Sequence, residues 1–155
     1  MKEREEQNHG TPYITFAGEC RAALLFYETV FDTKVTMMQS YGAYVPEGRE
    51  DLPEGLAQWV LHAEMKIADT PFWFADEIEE PIEKGNQVKL TVSVVSKKEA
   101  EAIFSALAEE AIKITLPPTE TFYSLFHAGL TDKYHISWNI VSLEAPAGNL
   151  EIGEE

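Results

Sequence analysis

His62 and Glu64 stand two residues apart in Leu61-His-Ala-Glu-Met-Lys-Ile67, where polar and apolar residues alternate. A period of two belongs to a β-strand, so His62, Glu64 and Lys66 share one face, opposite Leu61, Ala63, Met65 and Ile67. An imidazole and a carboxylate so placed are the leading catalytic pair, able to bind a metal or to act as general acid and base. The same alternation also suits a plain solvated face. His127 and His135 flank the polar turn Thr131–Tyr134 and can meet across a hairpin, about 5 Å apart if directly opposed. Cys20 falls in the first turn of a helix, where a thiolate is stabilised. A buried, inert thiol is the alternative.

Aromatic residues gather in the strand-like segments: Trp73, Phe122, Tyr123, Phe126 and Trp138. Rings of this kind line ligand cavities, because they join a flat apolar face to a single donor. They also pack cores between sheet and helix. Trp73, Trp138 and Phe122 are the ligand-binding candidates. Lys89 joins them, since beside Thr91 and Ser93 it can pair with an anionic ligand. It can equally reach water from the end of a sheet.

The elements that must position these groups repeat. Ala23, Phe26, Tyr27, Val30 and Phe31 lie at i, i+3, i+4, i+7 and i+8, and so do Ala100, Ile103, Phe104, Leu107 and Ala108. That spacing is one face of a helix. Equivalent positions in the two helices are 77 residues apart. A strand-like run precedes each helix, Pro12–Ala17 and Lys89–Val95. Three follow each: 34–41, 58–67 and 70–76, then 112–116, 123–130 and 135–143. The last two of each set are joined tightly, through Ala68-Asp69 and through Thr131–Tyr134, as hairpins are. The order is βαβββ twice, an α+β fold of two modules, about 11–76 and 87–143, within a single domain spanning 11–143. Residues 1–10 read as a flexible polar lead and 144–155 as an acidic tail. The Pro/Gly/acid-rich stretch 42–56 is either a lid or a mobile surface loop, and 77–86 link the halves.

Length and charge narrow the function classes. The chain of 155 residues is of single-domain size and carries a net charge of -15. Such a surface repels phosphate backbones and anionic lipid, so neither nucleic acid nor membrane is an expected partner. One cysteine forms no intramolecular disulfide and no multi-thiolate metal site. No run approaches a membrane span, and Met1–Gly10 lacks the apolar core of a signal peptide, so the expected address is cytoplasmic.

Four segments carry a resemblance: Thr11–Phe31, Leu61–Thr70, Glu99–Ala108 and Thr121–Trp138. In that order they resemble the PhnB-like branch of the glyoxalase/bleomycin-resistance (vicinal oxygen chelate) superfamily, over about residues 11–142. The branch carries a demethylubiquinone methyltransferase label, but the sequence shows no Gly-rich turn after a strand and no acidic residue placed for a ribose. The resemblance implies sheets curled around a cavity, a homodimer, and four metal ligands from the first and last strands of each half. Carried over, those positions are Pro12, Trp73, Lys89 and Trp138. None is a normal ligand of a divalent ion, so no metal and no cofactor are expected. His62-Ala-Glu64 is also similar to the branch at that point. The expected function is binding of a small organic molecule in an aromatic, metal-free cavity. The alternatives are a metal-dependent lyase, isomerase or dioxygenase relocated to His62 and Glu64, and a non-catalytic dimerisation module.

Overall fold

The computed structural model describes residues 8–44 and 55–147. Most of the stretch 42–56, much of the lead and most of the tail lie outside the described residues. The chain divides into two compact units, Met1–Ile82 and Glu83–Glu155.

In the first unit, strand β1 (Tyr13–Phe16) leads to helix α1 (Cys20–Phe31), then β2 (Val35–Ser40), β3 (Val60–Ile67) and β4 (Thr70–Asp76). The sheet order is β1-β4-β3-β2, with β1 parallel to β4 and the other pairs antiparallel. Helix α1 buries Cys20, Ala23, Leu24, Tyr27 and Val30. The sheet meets it with Ile14, Phe16, Ala63, Met65, Ile67, Phe72 and Phe74, all buried. Leu24 takes the place that the helical spacing gave to the half-buried Phe26 and Phe31.

Helix α1 begins without a capping side chain of its own, since Glu19 makes no cap bond. The last residue of β4 does the work. Asp76 is buried, and its carboxylate accepts hydrogen bonds from the amides of Gly18 (2.7 Å), Cys20 (3.1 Å) and Val60 (2.9 Å). Gly18 turns the chain there at φ +99°, and a Cβ on it would sit 2.7 Å from the Trp59 ring. The β3–β4 join is a two-residue turn with Ala68 and Asp69 both at positive φ, the geometry that matches strand twist.

The second unit repeats the order: β5 (Leu90–Val94), α2 (Lys97–Leu107), β6 (Lys113–Thr119), β7 (His127–Thr131) and β8 (Ser137–Ser142), in sheet order β5-β8-β7-β6. Helix α2 has the cap α1 lacks: Ser96 accepts from the Glu99 amide at 3.1 Å, in a Ser-x-x-Glu pattern. Its buried residues are Ala100 and Leu107, facing Val92, Ala128, Leu130, Trp138 and Ile140. The expected strand at 123–126 is a turn instead. The Thr121 hydroxyl accepts from the amides of Tyr123 and Ser124, a local bond that competes with a ladder. Strand β6 runs on to Thr119 through Pro117-Pro118, tolerated because it lies at the sheet's edge.

Candidate functional site

The face of the first sheet turned away from α1 gathers most of the polar and aromatic candidates. Strand pairing sets Tyr13 on β1 beside Trp73 on β4, and Trp73 beside Glu64 on β3. His62 and Gln39 are partners in the β2–β3 ladder. Period-two alternation puts all five on one face, the one that the buried Ala63, Met65, Phe72 and Phe74 leave outward.

Four of these side chains, those of Tyr13, His62, Glu64 and Trp73, form one cluster. His62 Nε2 lies 3.0 Å from Glu64 Oε2. An ionised carboxylate only accepts, so toward that form of Glu64 the imidazole donates from Nε2. The His62 ring stands nearly perpendicular to Trp73, with centroids 5.1 Å apart, and edge-on to Tyr13 at 6.4 Å. Tyr13 and Trp73 are themselves T-shaped, at 5.9 Å and 83°. Trp73 keeps 41% of its surface exposed and Tyr13 54%, whereas core rings of the same sheet, Phe72 and Phe74, keep 5% and none. Partial burial raises the Tyr13 phenol pKa above its ordinary value, with Glu77 and Cys20 adding to the rise.

The structure brings the sequence candidates His62, Glu64 and Trp73 together and adds Tyr13, which the sequence analysis did not single out. The signal for Tyr13 was its place one residue after Pro12 in a strand whose even-numbered partners, Ile14 and Phe16, are apolar.

Trp138 corrects an expectation. It is fully buried on the side of its sheet that faces α2, and its indole N–H donates to the Asp132 carboxylate at 2.9 Å. It offers no face to a ligand. The residue that stands to β5 as Trp73 stands to β1 is Asn139, whose ladder partner is Thr91. Lys89 lies just before β5 and donates from Nζ to the Asn86 carbonyl at 3.0 Å. Phe122 is 66% exposed, in the turn before β7, edge-on to Tyr123. His127 and His135 do not meet. His127 lies opposite Val141 and bonds the Tyr123 hydroxyl through Nδ1 at 2.7 Å, while His135 sits in the β7–β8 turn at φ +71°. Cys20 is buried, and burial together with the Asp76 carboxylate pushes its thiol pKa far up, the reverse of an activated thiolate.

The resemblance implies metal ligands from the first and last strands of each half. There the outward positions are Tyr13, Trp73, Thr91 and Asn139. Among the described residues no three His, Cys, Asp or Glu side chains come together. Among the same residues no helix is long and apolar enough to cross a membrane.

Two four-stranded mixed sheets, each with one helix in βαβββ order, define an α+β protein of the glyoxalase/bleomycin-resistance fold. A glyoxylase/bleomycin resistance protein/dioxygenase domain from Frankia sp. EAN1pec superposes with a TM-score of 0.59 at 15% identity, covering 89% of this chain and 98% of its own. Residues 8–141 match the family model described as 3-demethylubiquinone-9 3-methyltransferase, and the chain belongs to that PhnB-like family. A PhnB protein from Bacillus cereus, titled a putative 3-demethylubiquinone-9 3-methyltransferase, is similar in fold, with a TM-score of 0.72, 22% identity and coverage of 87% and 99%. Protein YjdN of Escherichia coli K12 is 26% identical over 138 residues, 84% of this chain and 92% of its own.

Proposed function

We propose that this chain binds a small organic molecule on the outward face of its first sheet. Trp73 is the stacking platform, Tyr13 the side wall, and the His62–Glu64 pair the polar anchor. The observation that carries the reading is the exposure of Trp73: an indole left 41% open on a strand whose other rings, Phe72 and Phe74, are buried, edge-on to the rings of Tyr13 and His62. A half-open aromatic corner with a few convergent polar groups is the usual make-up of a small-molecule site. Loss of the superfamily's metal site belongs to this reading, and the tyrosine, tryptophan, threonine and asparagine at its positions support it. Phe122 and Lys89 remain candidates for contacts of the second unit. The homodimer implied by the resemblance and the cytoplasmic address expected from the sequence are part of the same proposal.

Tryptophan emission, titrated with a panel of aromatic compounds, tests it. The expected result is saturable quenching by at least one compound, weakened about tenfold in Trp73→Ala, the value of one stacked ring. Calorimetric titration with Zn²⁺, Ni²⁺, Mn²⁺ and Fe²⁺ tests the alternative. Tight metal binding that disappears in His62→Ala would overturn the metal-free reading in favour of a metalloenzyme using His62 and Glu64.

A further inference from the structure

Glu64 decides what kind of molecule the aromatic corner takes. It is the ladder partner of Trp73, so its carboxylate stands at the rim of the stacking platform. Its side chain is 41% exposed, and His62 holds only Oε2. A carboxylate accepts at both oxygens. Any molecule lying flat on Trp73 therefore strips water from a neighbouring negative charge, which is costly unless the molecule compensates it. Tyr13 and Trp73 meet at 83°, so two electron-rich ring systems bound the same corner. Ring faces attract cations.

The cations already nearby do not fill this role. Lys66 lies on the same face of β3, one same-face position beyond Glu64, but its ladder partner is Pro71 and its side chain is exposed. Arg21 is engaged elsewhere, with Nη2 donating to the Gln58 carbonyl at 3.0 Å and Nη1 to the Met38 sulfur. The net charge of -15 draws cations toward the protein and repels anions.

We infer that the ligand of this site is a flat organic cation, an aromatic ring system carrying a fixed positive charge that lies between Trp73, Tyr13 and Glu64. This rests on the binding function proposed above and names its ligand class. An anion of the same shape would bring a second negative charge against Glu64. A neutral one would desolvate Glu64 without return.

Calorimetry with three isosteres separates the cases: N-methylacridinium, acridine at a mildly alkaline pH where it is uncharged, and 9-anthracenecarboxylate. The expected order is the cation first, about tenfold tighter than the neutral ring, with the anion weakest. In Glu64→Gln, which keeps the shape of the side chain, cation and neutral ring should come within about twofold of each other. In Trp73→Ala both should weaken together. Equal or tighter binding of the neutral ring or the anion overturns the cation inference and leaves small-molecule binding standing. A cation preference that survives unchanged in Glu64→Gln, or cation binding unaffected by Trp73→Ala, also overturns it, by assigning the attraction to the acidic surface at large. Failure of all three probes to bind overturns both readings.

Discussion

Asp76 offers the sharpest quantitative test of how the first unit is held together. Its two carboxylate oxygens serve three amides: Oδ1 takes Gly18 and Cys20, and Oδ2 takes Val60. Cys20 and Val60 are wholly buried, while Gly18 is exposed enough to find water. Asp76→Ala therefore strands two buried donors, each costing about 1–3 kcal/mol, so the expected loss is about 2–6 kcal/mol. That is a large share of the roughly 5–15 kcal/mol by which domains of this kind are stable. Asp76→Asn keeps one accepting oxygen and turns the other into a donor facing an amide. It should lose about half as much, about 1–3 kcal/mol. Urea unfolding followed by circular dichroism measures both, with the slope m unchanged if only the native contacts are affected. A loss below about 1 kcal/mol in Asp76→Ala would show that water or a shifted backbone replaces the carboxylate, and the account of how α1 is capped would fail.

Two further outcomes follow from packing and titration. Cys20 should resist alkylation in the native protein at mildly alkaline pH and react at once in urea. Its folded pKa is raised from 9.0, so the native state keeps a proton that the unfolded chain gives up. Stability from this source is fully present below the free-thiol pKa and declines as pH rises above it. Cys20→Ala should flatten that decline in pH-dependent urea melts, and an unchanged slope would refute it. Gly129→Ala should cost about 1–3 kcal/mol, because a Cβ there would lie 2.8 Å from Thr115 Oγ1 and 2.9 Å from Asn139 Oδ1. Restoration of most of the loss by Thr115→Ala in the same chain would confirm the clash, and no recovery would place the strain elsewhere.

The βαβββ repeat was legible because helix and strand periods differ and each half shows both in the same order. His62, Glu64 and Trp73 were legible because period-two alternation fixes their face once the strand is found. Trp138 was misplaced by one residue of register. The helices match at a shift of 77, with Ala23, Tyr27 and Val30 answering Ala100, Phe104 and Leu107. The strands do not: Phe16 ends β1 three residues before the cap at Glu19, but Val94 ends β5 two residues before the cap at Ser96. A slip of one residue turns every side chain of a strand to its other face. Trp138 has Leu90 as its ladder partner, which marks it as helix-facing, and the outward position is the next residue, Asn139. The Tyr13–Trp73–His62 corner was out of reach for another reason. It depends on β1 lying against β4, and chain order does not reveal that.

Pro117 and Pro118 have a consequence beyond the turn they accompany. Neighbouring residues of a strand aim their amide positions in opposite directions across the sheet. Of two adjacent prolines, one thus removes a donor toward β7, where the pairing slips between Leu116 and Thr119. The other removes a donor from the rim that faces solvent. A foreign strand laid along β6 would find a gap there, and so the margin of the second sheet is poorly suited to templating fibrils.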